Sequence, residues 1–331
     1  MITALPVVIL MPHSACNCRC VICDIWKNNQ HAAQLKEKDI IPLLRAFRKF
    51  GTKQVVMSGG EALLNPKFFT FCKLLREEGI SITLLSTGLL LKNFADEIVE
   101  QVHEVIVSLD GDEPTHNQIR NVPGAYLKMQ EGIEAIRAVD PCFRITARCV
   151  IHRLNYKIWP SIIDAARWLG LDQISFLPAD VSSQAFNREV PWNKDRQDEL
   201  LLQEKQLQEL QCIIEGIIDL YPFDFRDHFI AESPAKLRLI YNYYAAYYQQ
   251  AVYPFKKCNA PWVSAVIEAD GSVLPCFFHS RIGNIHDTPL ETILNSREAV
   301  SFRKTLDMKT NSTCKKCVCS VYLSPLTRLS R

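Results

Sequence analysis

The sequence predicts an α/β protein: a partial (β/α)6 TIM-like barrel followed by a small C-terminal α+β domain rich in cysteine. Three observations carry this expectation. Short β-rich runs alternate with amphipathic helical stretches through the first half of the chain, the pattern of parallel βα units. Only six such runs are present, too few for a closed eight-stranded barrel and enough for an open one. At 331 residues the chain exceeds what one core usually holds, so a second, smaller unit is expected.

The strands are expected at residues 6–11, 54–57, 80–86, 105–109, 144–151 and 173–177. Between the first two, residues 38–50 put Ile40, Leu43, Leu44, Phe47 and Phe50 on one helical face before Gly51. Residues 66–78 read as a second helix, with Asn65 as its N-cap and Gly79 as its stop. From residue 193 the pattern turns helical. Residues 199–218 carry a leucine and isoleucine face, and 237–253 contain six tyrosines, a packing element with a wet edge or a substrate wall. Short strands are expected at 263–268 and 272–274, around a turn at Asp270-Gly271. The organisation is therefore a barrel over 1–192, a helical connection over 193–253 and a C-terminal domain over 254–331.

A composition of 48% hydrophobic and 22% charged residues is that of an ordinary soluble protein. A net charge of +2 leaves no electrostatic footprint for nucleic acid or an acidic membrane. The apolar residues 2–11 are broken by Thr3 and Pro6, too short for a bilayer span, and lack a basic leader. A cytoplasmic location is expected, with neither nucleic acid nor membrane as partner. In that reducing compartment thirteen cysteines speak for metal or redox chemistry over disulfides. Eight fall in two groups: Cys16, Cys18, Cys20 and Cys23, then Cys258, Cys276, Cys314 and Cys317, with Cys319 close behind. Cys72, Cys142, Cys149 and Cys212 are scattered among apolar residues and read as small buried hydrophobes.

Cys16, Cys20 and Cys23 form C-x3-C-x2-C directly after the first strand. Three thiolates on one short loop suit a [4Fe–4S] cluster with one iron left open. A closed zinc site is the alternative, and would need Cys18 as fourth ligand despite its one-residue spacing from both neighbours. Ser58-Gly59-Gly60-Glu61 follows the second strand, where a glycine pair lets backbone approach a ligand and a carboxylate can bind an ammonium group. Alone it would be a tight strand-to-helix turn. Ser86-Thr87-Gly88 ends the third strand, Ser108 and Asp110 alternate onto one face of the fourth, and Arg144, Thr146 and Arg148 share a face of the fifth. Arg148 could pair with an incoming carboxylate or with an internal one.

In this order, each at the end of its own strand, the segments resemble those of the radical S-adenosylmethionine (radical SAM) superfamily over about residues 5–180. Ile22, where the family usually has an aromatic residue, is a mild departure. The resemblance implies that Cys16, Cys20 and Cys23 hold the open cluster and that its fourth iron chelates the methionine part of S-adenosylmethionine (SAM). One-electron cleavage of SAM then yields a 5′-deoxyadenosyl radical. It further implies cofactor contacts from Gly59, Gly60, Glu61, Ser86, Thr87, Ser108, Asp110 and Arg148. His116 and Arg120 resemble a common loop after the fourth strand, which they shape without reacting.

The C-terminal cysteines are compatible with zinc or a cluster on spacing alone. Cys258-x12-Gly271-x4-Cys276, followed by Cys314-x2-Cys317, resembles the SPASM/Twitch extensions of the same superfamily. With only Cys319 beyond the pair, the pattern is closest to Twitch, with one fully ligated auxiliary [4Fe–4S] cluster that relays electrons or braces the fold. The function this implies is hydrogen abstraction from a small polar metabolite, with an external electron donor such as flavodoxin or ferredoxin. Asp180, ending the last barrel strand, and Arg148 are the candidate catalytic residues. Two other functions remain open: a peptide-modifying maturase, disfavoured because Cys16 leaves no room for a preceding recognition domain, and a non-catalytic zinc-binding interaction protein.

Overall fold

All six expected barrel strands form, within two residues of their predicted ends: β1 (Val7–His13), β2 (Gln54–Gly59), β3 (Ser81–Ser86), β4 (Glu104–Ser108), β5 (Ile145–Ile151) and β6 (Gln173–Pro178). The computed structural model describes residues 1–188 and 190–324; the last seven residues of the expected C-terminal domain lie outside the described residues. Helical crossovers follow each of the first five strands: α1 (Glu37–Phe50), α2 (Phe68–Glu77), α3 (Ala95–Gln101), α4 (Glu113–Arg120) with α5 (Ala125–Val139), and α6 (Trp159–Trp168). The strands pair in parallel and in chain order, β1 to β6. Side chains alternate across them as the pleat requires. Val8, Leu10, Val55, Met57, Ile82 and Leu84 are buried on the helix side. Ile9, Val56, Leu85 and Ile106 face a cavity on the concave side.

The C-terminal segment continues this sheet. Strand β7 (Ser264–Ile267) pairs in parallel with β1, Val7 opposite Ser264, and β8 (Ser272–Leu274) and β9 (Gly283–Asn284) follow antiparallel. The nine strands run β6-β5-β4-β3-β2-β1-β7-β8-β9 and do not close. The small domain is thus built onto the open edge of the barrel at β1, and covers a strand edge that would otherwise expose its peptide groups.

The helical region departs from expectation in two places. The single helix expected over 199–218 is split into α7 (Lys194–Leu200) and α8 (Leu207–Leu220). Leu200, Leu201 and Leu202 are all buried, and three consecutive residues cannot share one helical face, so the chain extends through them. The Arg153 amide donates to Leu200 O and the Tyr248 hydroxyl to Leu202 O, replacing the lost helical bonds. After α9 (Pro222–Arg226), the tyrosine-rich helix α10 (Pro234–Ala246) starts at a Ser233 cap and stops before Tyr247. The tyrosines of residues 237–253 divide the two expected roles. Tyr243 and Tyr244 are buried and donate to Ala179 O and Ile151 O, whereas Tyr253 reaches the cavity.

Asn65 does not cap α2. Its amide donates to Pro12 O and Leu35 O, and its Oδ1 accepts from the Lys67 amide, which ties the turn to the end of β1. Of the four scattered cysteines, Cys72 and Cys149 are buried as expected, but Cys142 and Cys212 are exposed. Cys142 lies in the turn before β5, and Cys212 on the outward side of α8, so their apolar neighbours in sequence are not their neighbours in space. Among the described residues no helix is long and apolar enough to cross a membrane.

A buried polar layer lies beneath the C-terminal ends of β4 and β5. His116 and His152 are fully buried, and burial, aided by the charge of Arg120, lowers both to about 3. Both stay neutral in the folded chain, while the unfolded chain takes up protons below the usual histidine value of 6.5. Stability is therefore lost as pH falls from 6.5 towards 3, by up to about 1.4 kcal/mol per pH unit for each histidine. The slope of urea stability between pH 6.5 and 5 should be shallower by about that amount in His152→Gln than in the parent chain. An unchanged slope would place His152 in a site that accepts the proton when folded.

Candidate active site

The concave face of the sheet opens into a cavity of about 870 Å³ that runs along the strands, from Val7, Gln54 and Glu104 at their N-terminal ends to Ser86, Ser108 and Asp180 at their C-terminal ends. Its walls carry both cysteine groups. Cys16, Cys20 and Cys23 come from the loop after β1, and Cys258, Cys276, Cys314, Cys317 and Cys319 from the C-terminal domain. Cys18 is fully buried behind the first loop and does not reach the cavity wall.

The first loop is anchored from several sides. Gly60 N donates to His13 O and Glu61 N to Ala15 O. A Cβ at Gly60 would fall 2.0 Å from Ala15 O, and one at Gly59, whose φ is +114°, 2.7 Å from His13 O. The close approach that the glycine pair permits is thus to the chain's own cysteine loop. Asn29 bonds both the amide and the carbonyl of Cys16, and the Trp26 indole donates to Cys20 O.

Gly59, Gly60, Ser86, Thr87, Ser108, Arg148 and Asp180 all lie on the cavity wall. Glu61 and Asp110 do not. Glu61 is fully buried, and its carboxylate accepts from Ser86 Oγ, Thr87 N, Thr87 Oγ1 and Leu63 N, a brace between the ends of β2 and β3. Burial pushes its carboxyl up from the usual value, and these four donors pull it back. Asp110 is fully buried in an ion pair with Arg120, 2.5 Å away. Leu109 is also buried and the chain turns into α4 after Asp110, so the alternation that would share a face with Ser108 ends. On β5, Arg144 pairs with Glu104 at the exposed end of the sheet, while Arg148 donates to Ser175 Oγ on the cavity side.

Asp180 is engaged by its own loop. Arg188 Nη1 lies 2.7 Å from Asp180 Oδ2, with side-chain exposures of 0% and 2%, and Arg188 Nη2 donates to Asp180 O. The guanidinium stacks on Trp192 at 3.9 Å, and the Trp192 indole donates to Asp24 beside the first cysteine loop. Phe186, in a left-handed conformation at φ +63°, reaches from this loop to Phe277, centroids 5.0 Å apart, next to Cys276. The loop after β6 thereby straps the two cysteine groups together, a role with no local sequence signature. Arg188→Met would leave the Asp180 carboxylate buried without its cation and should cost about 3–5 kcal/mol in urea unfolding. Arg188→Met with Asp180→Leu should recover most of that loss; failure to recover it would assign the cost to packing on Trp192.

In the second group, His279 Nε2 lies 3.4 Å from Cys314 Sγ, and Lys256 Nζ donates to Cys317 O at 2.5 Å. Cys317 Sγ lies 2.6 Å from Cys319 O. Sequence reasoning missed His279, Lys256 and the Phe186–Phe277–Phe278 cluster, since single residues without a spacing rule leave no signal.

Three thiols on one loop open to the cavity fit an iron–sulfur cluster with a free coordination position, and the facing thiols suffice to ligate a second. Among the described residues, no three His, Cys, Asp or Glu side chains converge closely enough to enclose a single metal ion. Family models match both regions: the "Radical SAM superfamily" over residues 10–164, and SPASM, an "Iron-sulfur cluster-binding domain", over 258–318. An AdoMet-dependent heme synthase of Methanosarcina barkeri is 26% identical over 89% of this chain and 82% of its own. A probable GTP 3′,8-cyclase of Methanococcus maripaludis is 25% identical, a match spanning 50% of this chain and 57% of the cyclase. The fold is similar to that of Streptococcus suis SuiB bound to S-adenosylmethionine, with a TM-score of 0.66 at 14% identity, covering 97% of this chain and 73% of SuiB. The SPASM match sets aside the zinc alternative at the C-terminal site, and the cofactors are a [4Fe–4S] cluster, SAM and auxiliary iron–sulfur. The chain belongs to the radical SAM superfamily and carries a SPASM domain on the open edge of its partial barrel.

Proposed function

We propose that this enzyme oxidises a substrate held in the cavity that both cysteine groups border, and that the substrate has a broad apolar body with anionic substituents. The observation that carries this reading is the wall itself. Cysteines of both groups border the same space, and between them stand Phe186, Phe277 and Phe278, with centroids 5.0 to 6.4 Å apart. Arg148, Lys256, Lys309 and Lys315 also line the cavity and offer cations to carboxylates. A wall of aromatic and aliphatic side chains with few polar groups binds by burial of apolar surface, and fits such a molecule better than the small polar metabolite expected from sequence. Similarity to a heme synthase along most of both chains adds support for a carboxylated porphyrin as the first candidate.

Cys16, Cys20 and Cys23 would hold the first cluster, and Cys258, Cys276, Cys314 and Cys317 the auxiliary one. When bound, these groups and SAM supply a 5′-deoxyadenosyl radical that abstracts hydrogen from substrate and a nearby acceptor for the second electron of a net oxidation. The chain's own part is to orient and exclude water. Ser86, Thr87, Ser108 and Arg148 supply polar contacts at the strand ends, and the phenylalanines keep the substrate dry.

The test is anaerobic reconstitution followed by counting iron and sulfide, then 5′-deoxyadenosine formation with dithionite, alone and with iron coproporphyrin III, GTP or peptides. About eight irons per chain, with the porphyrin accelerating 5′-deoxyadenosine formation and itself changing mass, is the expected result. Acceleration by GTP or a peptide instead would overturn the substrate class, and zinc throughout without cleavage would overturn the reaction.

A further inference from the structure

The mechanism above makes no use of the buried Arg120–Asp110 pair, although it touches the first cysteine loop. Arg120 Nη1 lies 3.6 Å from Cys20 Sγ, and Arg120 Nη2 lies 2.5 Å from Asp110 Oδ2, with side-chain exposures of 9% and 0%. The backbone joins in. Arg19 N donates to Arg120 O and Val21 N to Ile119 O, so the last carbonyls of α4, which lack helical partners, clasp the residues on both sides of Cys20. Asn121, left-handed at φ 51°, ends the helix and turns these carbonyls towards the loop. Asp110 is fixed in turn: its amide donates to His116 Nδ1 and its carbonyl accepts from Asn155 Nδ2.

We propose that Arg120 is a positioning and tuning residue for the first cluster: its guanidinium donates to the Cys20 sulfur, and Asp110 sets how much of that positive charge the cluster experiences. The inference rests on the assignment of Cys20 as a cluster ligand. A cluster gains negative charge on reduction, so a cation at a ligand sulfur stabilises the reduced form, and a carboxylate behind that cation weakens the effect. The two residues therefore act with opposite sign. Coulomb interaction at these distances is strong because Asp110 is fully buried and Arg120, which reaches the cavity wall, is nearly so.

The experiment is an anaerobic redox titration of the first cluster by electron paramagnetic resonance, on full-length reconstituted protein without SAM, for the parent chain, Arg120→Met, Arg120→Lys and Asp110→Asn. Cys276→Ala in every background removes overlap with auxiliary signals. Arg120→Met is expected to move the midpoint potential to more negative values, Asp110→Asn to more positive values, and Arg120→Lys to lie between Arg120→Met and the parent. If Arg120→Met loads no iron, Asp110→Asn decides alone: a positive shift supports the proposal and an unchanged or negative one overturns it. Shifts of the same sign in Arg120→Met and Asp110→Asn also overturn it, since both would then reflect loop disorder. A parent chain with no reducible cluster signal would instead remove the assignment of Cys20.

Discussion

Gly60→Ala is expected to empty the first cysteine site of iron and abolish 5′-deoxyadenosine formation, while leaving the C-terminal site loaded. The added Cβ would sit 2.0 Å from Ala15 O, 2.4 Å from Ala15 C and 2.8 Å from Ser14 O. All three are backbone atoms, so no side-chain rotation relieves the overlap, and Ala15 is bonded directly to Cys16. Either the loop moves off β2 or β2 moves off the loop. β2 is held between β1 and β3 by parallel ladders, whereas the loop depends on a few local hydrogen bonds, so the loop gives way. Overpacking of this kind costs about 1–3 kcal/mol even where neighbours relax, and here it falls on the segment that must present three thiols together. Gly216→Ala is the control. Gly216 lies inside α8 with nothing within 4 Å of the added methyl, and the change should stabilise the helix by about 0.5–1 kcal/mol with iron content unchanged. Iron analysis and the 5′-deoxyadenosine assay read both variants. Full iron loading and normal cleavage in Gly60→Ala would mean that the glycine pair serves a ligand and not the loop.

What the sequence made legible was local. The strands were readable because β-branched and apolar residues alternate at period two, and the cysteine loop because four cysteines fall within eight residues, three of them as C-x3-C-x2-C. Contacts between distant segments were not. Nothing in residues 264–267 marks them as the partner of β1, more than 250 residues earlier, because any short apolar strand could take that edge. The Arg120–Cys20 contact joins residues 100 positions apart, and the Asp180–Arg188 pair is close in sequence but has no periodic signature. Glu61 shows the converse. Its motif was legible, yet its environment was not: four donors and complete burial make it a brace between strand ends. Pattern reports which residue types are available at a strand end, and the surrounding donors decide what each one does.

On the proposed oxidation, Cys276→Ala should separate radical generation from product formation, with cleavage of SAM retained within about tenfold and product lost by more than about a hundredfold. The geometry favours such a separation. Cys276 follows β8, which lies on the far side of β7 from β1, so removing its thiol leaves the β1–β7 ladder and the first cysteine loop untouched. Its wall position places it beside Phe277 and Phe278, across the cavity from Cys16, Cys20 and Cys23. An electron that leaves the substrate would have to travel elsewhere once this site is disabled, and the substrate would be quenched or the 5′-deoxyadenosyl radical reduced without product. Uncoupled 5′-deoxyadenosine, formed without a change in substrate mass, is the signature to measure. Cys16→Ala should behave oppositely, losing cleavage and product together. If Cys276→Ala also lost both, with an unchanged urea midpoint and a loaded first cluster, the auxiliary centre would serve binding of SAM and not oxidation of the substrate. A lowered urea midpoint with both activities lost would assign it to holding the C-terminal domain on β1.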